Sequence, residues 1–174
     1  MWSNFNAART TWYNSNCEKW VLETNMIRGS CLCGGVKFRI TGSLTQALNC
    51  HCSMCRKAQG SAFRSRASLK AADFEWVQGE SLVTFYESSR GNHRGFCRVC
   101  GSPILSKFDA HPSYYGLPLG ALDDDPGIRP ALHVHVSSKA PWFTITDDLP
   151  QLPDGPTGWI PGASSSMTKS TTTR

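Results

Sequence analysis

The alternation of apolar and polar residues predicts that the chain is built mainly from short β-strands. Residues 36–40 alternate with a period of two, as in a half-buried strand, and Thr41, Gly42 and Ser43 end the pattern. Further short apolar segments predict strands at 63–68, 74–78, 82–86, 114–119 and 131–136. One short helical turn is expected near residues 53–58, so the pattern indicates a mainly β fold.

The two ends of the chain lack this pattern. Residues 1–27 mix Asn, Thr and Trp without periodicity, which predicts an N-terminal extension of uncertain order. Residues 157–174 are rich in Ser and Thr and predict a flexible tail. The organised part is therefore expected at 28–156, and 174 residues in all fit one such domain.

Composition narrows the classes of protein to consider. The formal charge is +5, and the basic residues are scattered rather than massed, which favours a solvated surface over nucleic-acid binding. No segment approaches the roughly 18 consecutive apolar residues of a membrane span. The N-terminus lacks the apolar core of a secretory signal, so we expect a cytoplasmic, reducing setting. There, clustered cysteines more often bind metals or react than form disulfides.

Seven of the eight cysteines lie in three tight clusters. Cys97 and Cys100 have the spacing of a thiolate pair that reaches two corners of a zinc tetrahedron from a tight turn. Cys31 and Cys33, followed by two glycines, can supply the other two corners. The spacing therefore predicts a closed four-cysteine structural zinc site, with disulfides or buried free thiols as the alternative.

The third cluster comes from one short loop and contains Cys50, Cys52 and Cys55. Three protein ligands with a fourth position open are typical of a catalytic zinc. The alternatives are a second structural site completed by His51 or another side chain, or an exchange of partners between clusters. His51 lies between two ligands and is expected to point away from the metal.

The remaining histidines have no spacing that singles out a site. His133 and His135 would share one face of the strand predicted at 131–136. We expect solvent-facing or core positions for them rather than a catalytic role.

The cysteine motifs resemble those of the glutathione-dependent formaldehyde-activating enzyme family, also called the centromere-protein-V-like family. The resemblance covers roughly 27–156 and is carried by residues 29–36, 50–57, 60–63, 94–102, 120–124, 133–136 and 139–142. It implies an Mss-four-like, zinc-stabilised fold of several small antiparallel sheets. It also implies two zinc ions, a structural one on Cys31, Cys33, Cys97 and Cys100 and a catalytic one on Cys50, Cys52 and Cys55.

The resemblance also implies a carbon-sulfur lyase that joins formaldehyde to glutathione. A zinc ion held by three thiolates is better suited to presenting a thiolate than to making a strong hydroxide nucleophile. Arg56 and Lys57, next to the third ligand, are predicted to pair with a carboxylate of the thiol substrate, and Arg64 and Arg94 are weaker candidates.

Two other functions agree with the same residues. One is a zinc-dependent isomerase, cyclase or lyase that acts on a small metabolite without glutathione. The other is a non-catalytic zinc scaffold or a glutathione carrier. The sequence does not indicate an oligomeric state.

Overall fold

The computed structural model describes residues 26–155, which form two β-sheets and one short α-helix. The strands are β1 (Ile27–Ser30), β2 (Lys37–Ile40), β3 (Thr45–Cys50), β4 (Arg64–Lys70), β5 (Phe74–Gln78), β6 (Val83–Ser89), β7 (Asn92–Cys97), β8 (Pro103–Phe108), β9 (Tyr114–Pro118) and β10 (His133–Val134). Helix α1 (Ser53–Gln59) follows β3. The tail predicted at 157–174 and all but the last two residues of the N-terminal extension lie outside the described residues.

The smaller sheet has three antiparallel strands in the order β1-β2-β5. Its inner face carries Phe38 and Ile40, which are fully buried. Phe38 stacks on Phe74 with 5.0 Å between ring centroids, across the β2–β5 pair. The alternation that predicted a strand at 36–40 therefore reflects one face turned into the core and one turned out.

The larger sheet has seven strands in the order β10-β3-β4-β9-β8-β7-β6. Its pairs are antiparallel except β10 with β3, which are parallel. Buried residues of this sheet, such as Leu69, Ile104 and Leu117, form one apolar cluster with Phe38 and Ile40 of the smaller sheet. The main core is thus shared between the two sheets.

The mainly β class and the short helix near the third cysteine cluster are confirmed. Strand β3 was missed because Ala47, Leu48, Asn49 and Cys50 are all buried, so this segment has no period-two alternation. Strand β1 lies at the boundary of the predicted extension and was also missed.

The strand predicted at 131–136 is wrong in length, because only His133 and Val134 form it. His135 has a φ of 57°, in the left-handed region, and this turns the chain out of the strand. His133 and His135 therefore do not share a face. Within residues 26–155, no helix is long and apolar enough to cross a membrane.

Gly79 makes a close backbone contact that no other residue fits. Its φ is +73°, and a Cβ there would lie 2.0 Å from the carbonyl oxygen of Gly35. Gly127 is a matched control, since its φ is +66° but a Cβ there would have no neighbour within 4 Å.

We expect Gly127→Ala to lower the free energy of unfolding by about 1 to 2 kcal/mol, the cost of left-handed backbone. Gly79→Ala adds a steric clash with backbone and should lose about 2 kcal/mol more. Urea unfolding monitored by circular dichroism measures both. Equal losses would show that the Gly35 carbonyl moves aside.

Candidate functional site

Four cysteines from distant parts of the chain meet at one point. The Sγ atoms of Cys31, Cys33, Cys97 and Cys100 all lie within 4.8 Å of one another. Cys31 and Cys33 lie between β1 and β2, whereas Cys97 ends β7 and Cys100 lies in the turn before β8. The seven described cysteines are free thiols, without a disulfide among them. Four thiols grouped in this way fit a tetrahedral zinc ion.

The two loops of this cluster are shaped by glycines and joined through Ser102. Gly34 and Gly101 have φ values of 70° and 75°, which let the backbone turn tightly beside the sulfur atoms. The Ser102 hydroxyl accepts a hydrogen bond from the backbone N–H of Leu32 at 3.0 Å. Hydrogen bonding to Ser102 also lowers the pKa of Cys100 to about 5, so this group favours the thiolate.

A second cluster is formed by one short segment, in which β3 runs into α1. Cys50 ends β3, Cys52 caps the N-terminus of α1, and Cys55 lies in its first turn. The Cys52 Sγ accepts a hydrogen bond from the Cys55 N–H at 3.3 Å. The three Sγ atoms lie within 4.8 Å of one another, and the described residues place no fourth histidine, cysteine or carboxylate in this group.

The three-cysteine cluster stabilises negative charge. Hydrogen bonds from Cys50 and Cys52 lower the pKa of Cys55, and the positive charges of Arg64 and Arg94 act in the same direction. Hydrogen bonding to Cys52 and Cys55 raises the pKa of Cys50. Arg94 Nη2 lies 3.6 Å from Cys55 Sγ. The cluster is therefore suited to binding a cation through its sulfur atoms.

Two arginines beside this cluster are partly or fully withdrawn from solvent. Arg64 is buried and donates from Nη1 to Ser106 Oγ and from Nη2 to the Gly116 carbonyl oxygen, both at 3.0 Å. Burial lowers the pKa of Arg64 to about 10. Among the described residues, neither Arg64 nor Arg94 forms an ion pair with a carboxylate. The sulfur atoms of the three-cysteine cluster are thus the groups that can balance the charge of these two arginines.

A cavity of about 260 Å³ adjoins the same arginines. Its walls come from the end of α1 and from the sheet strands β4, β6, β7 and β8. They are formed by Ala58, Gln59, Arg64, Tyr86, Arg94, Gly95, Phe96, Gly101, Pro103, Leu105 and Ser106. The cavity therefore combines two cations with mostly apolar walls.

A hydrogen-bonded chain that runs from two buried histidines to a half-exposed carboxylate supports the cysteine loop from its inner side. His51 Nε2 lies 2.7 Å from His133 Nδ1, and His133 Nε2 lies 3.1 Å from both carboxylate oxygens of Asp147. Because the carboxylate accepts from His133 Nε2–H, His133 Nδ1 accepts in turn from His51 Nε2–H. Burial lowers the pKa of His51 to about 4, which keeps it neutral. His51 belongs to neither thiol cluster.

Comparison with known proteins places the chain in a family. A family model described as glutathione-dependent formaldehyde-activating enzyme matches residues 26–138. The chain belongs to this family.

Individual proteins are also similar to this chain. A protein of Halomonas elongata, which bears the provisional name glutathione-dependent formaldehyde-activating enzyme, is 28% identical over 127 residues, covering 69% of this chain and 81% of its own. A crystal structure of a Rhodobacter sphaeroides protein is 28% identical and matches with a TM-score of 0.47, covering 59% of this chain and 91% of that one.

The side chains predicted to contact substrate occupy different settings in this family member. Arg56 donates from Nε to the His51 carbonyl oxygen at 3.3 Å and from Nη2 to that of Ser138 at 3.2 Å. Lys57 is exposed on α1. Arg64 lines the cavity together with Arg94, whose Nη2 lies 3.6 Å from Cys55 Sγ. The link from His51 to Asp147 had no signal in the sequence, because its members are 82 and 14 residues apart.

Replacing His133 should test the support behind the loop. His133→Ala removes the buried partner of His51, so we expect a loss of about 2 to 4 kcal/mol in the free energy of unfolding. The control is His93→Ala, which breaks a half-exposed contact with Asp109 and should cost below about 1 kcal/mol. Chemical denaturation measures both. A loss no larger than that of the control would mean that the chain of hydrogen bonds adds no net stability.

Proposed function

We propose that the protein is a zinc-dependent enzyme of the carbon-sulfur lyase type, which handles the adduct of glutathione and formaldehyde. The observation that carries this proposal is the three-cysteine cluster, which leaves one corner of a zinc tetrahedron without a described protein ligand. Arg94, which lies 3.6 Å from Cys55 Sγ, also lines a cavity. Membership of the family supports the choice of glutathione and formaldehyde.

We propose two zinc sites per chain. Cys31, Cys33, Cys97 and Cys100 would hold a structural ion that joins the β1–β2 loop to the β7–β8 hairpin. Cys50, Cys52 and Cys55 would hold a catalytic ion. Zinc at this second position would supply a Lewis acid that lowers the pKa of a substrate thiol.

The proposed reaction is the addition of a thiol to an aldehyde. A bond forms between sulfur and the carbonyl carbon, the C=O π bond breaks, and the new hydroxyl takes the proton that the thiol lost. The reverse reaction restores both reactants. Arg64 and Arg94 stabilise negative charge beside Cys55, and they would favour the thiolate form of the nucleophile.

Substrate contacts are also proposed for Arg56, Lys57 and Arg64, three of the four cations considered from the sequence. Arg64 lines the cavity, and Lys57 lies exposed on the helix that carries Cys55. Arg56 already donates hydrogen bonds to the carbonyl oxygens of His51 and Ser138, so it would contact substrate while it keeps these bonds.

We also propose a cytoplasmic location, because both clusters need reduced thiols.

Zinc content should separate the two sites. We expect two zinc ions per chain in the wild type and one in Cys55→Ser, with the fold retained. Cys100→Ser should also lose one ion, but with a lower melting temperature, because its site joins two distant loops. Atomic absorption and circular dichroism measure these results. Unfolding of Cys55→Ser would make the three-cysteine cluster structural.

Turnover should depend on the three-cysteine cluster. With glutathione and formaldehyde, we expect the protein to accelerate formation of S-hydroxymethylglutathione, and Cys52→Ser to lower that rate about a hundredfold or more. Met54→Ala keeps all three thiols and alters an exposed side chain of the same loop, so its rate should stay close to that of the wild type. Proton NMR follows the product.

Two results would count against the proposed reaction. Equal rates in Cys52→Ser and the wild type would remove the cluster from the mechanism. Binding of glutathione without turnover would indicate a carrier.

A further inference from the structure

We propose that the cavity of about 260 Å³ is a carboxylate subsite, which binds an acidic group on a short apolar chain next to the three-cysteine cluster. This inference rests on the proposed function for the identity of the molecule that carries the carboxylate. Binding of a carboxylate in the cavity does not itself depend on the proposed reaction.

Unbalanced positive charge is the first support for this subsite. Arg64 and Arg94 line the cavity. Among the described residues, neither of them forms an ion pair with a carboxylate. Arg64 Nε and Arg94 Nη1 are buried without a hydrogen-bond partner. Guanidinium groups withdrawn from water are costly unless an anion compensates them.

The cysteine cluster compensates only part of this charge. Three thiolates around a divalent cation carry one net negative charge. Arg64 and Arg94, whose charges act on Cys55, together carry two positive charges. Positive charge is therefore left over for a bound anion. A carboxylate is the anion whose planar geometry matches guanidinium donors.

The position of Arg94 connects the cavity with the reacting end of the substrate. Its Nη2 lies 3.6 Å from Cys55 Sγ, and its side chain also forms part of the cavity wall. The other walls include Tyr86, Phe96 and Leu105, which offer apolar contact. A ligand with its carboxylate near the arginines could therefore place a second group, a few bonds away, at the cluster.

The size of the cavity limits the part of the ligand bound inside it to a small group. Cavities that enclose drug-sized molecules usually have about 300 to 1,000 Å³, and this one is below that range. Formaldehyde is neutral and has only two heavy atoms, so it would use neither the cations nor most of the volume. The carboxylate must then belong to the thiol or to an aldehyde larger than formaldehyde.

Calorimetric titration of the zinc-loaded full chain tests the subsite with two thiols of similar length, 3-mercaptopropionate and 1-propanethiol. We expect the wild type to bind the acid about tenfold or more tightly than the uncharged thiol. Arg94→Met should lose this preference, because its affinity for the acid should fall about tenfold more than its affinity for 1-propanethiol. Arg90→Met, an exposed arginine in the turn between β6 and β7, should behave as the wild type.

A second variant avoids any disturbance of the cluster by the loss of Arg94. Gln59 lines the cavity from the end of α1, and Gln59→Glu would place a negative charge there. We expect it to weaken binding of 3-mercaptopropionate and of propionate severalfold while leaving 1-propanethiol unaffected. Zinc content, measured in parallel, should remain that of the wild type.

Turnover with matched substrates identifies the source of the carboxylate. If the thiol supplies it, Arg94→Met raises KM for 3-mercaptopropionate severalfold more than KM for cysteamine, with formaldehyde as partner. If the aldehyde supplies it, the variant raises KM for glyoxylate but not for formaldehyde, with 2-mercaptoethanol as partner. Either result supports the subsite.

The failures of the two proposals are distinguishable. Equal wild-type affinity for the acid and the uncharged thiol, or an unchanged preference in both Arg94→Met and Gln59→Glu, would overturn the subsite even if lyase turnover were present. Binding of propionate that depends on Arg94, in a protein without thiol-aldehyde turnover, would support the subsite and contradict the proposed reaction.

Discussion

The convergence of four thiols from two distant loops is the constraint on which this structure depends. Cys33 and Cys97 are 64 residues apart, yet their Sγ atoms lie 3.9 Å from each other. One loop belongs to the three-stranded sheet and the other to the seven-stranded sheet, so their meeting joins the two layers beside the shared core. Closing so long a loop costs chain entropy, which sulfur ligation of one ion can offset.

With the four-cysteine cluster complete in itself, the three-cysteine cluster has no structural partner elsewhere in the described chain. Its sulfur atoms instead lie near the charges of Arg64 and Arg94, and Arg94 Nη2 is 3.6 Å from Cys55 Sγ. Because the sulfur atoms and the arginines carry opposite charges, their attraction offsets part of the free energy that burial of each group costs. Because positive charge is in excess, the cavity that these arginines line is a candidate site for binding an anion.

The loop that carries these thiols is held by the C-terminal part of the domain. The His51 N–H donates to the Val134 carbonyl oxygen at 2.9 Å, and the His51 ring reaches Asp147 through His133. Phe63 packs against His51 with 5.2 Å between ring centroids. The short parallel strand β10 therefore serves to position the cysteine loop from its buried side.

Local features of this protein followed from the sequence alone. Alternation placed β2 and β5, the cysteine spacing defined the three-cysteine cluster and the two cysteine pairs, and the helical turn near Cys55 lies where it was expected. These features depend on neighbours within a few residues, for which sequence spacing is a direct measure of distance. The family resemblance covered roughly 27–156, and the family model matches residues 26–138.

The tertiary structure alone decided which distant groups meet. Arg94 contacts a thiol 39 residues away, and His51 bonds to a histidine 82 residues away. Strand β3 is buried on both faces, so its residues lack the alternation that reveals a strand at a surface. The pairing of strands and the shape of the cavity are set by packing over the whole domain. Separation along the chain does not give the spatial distance between residues that are far apart in sequence.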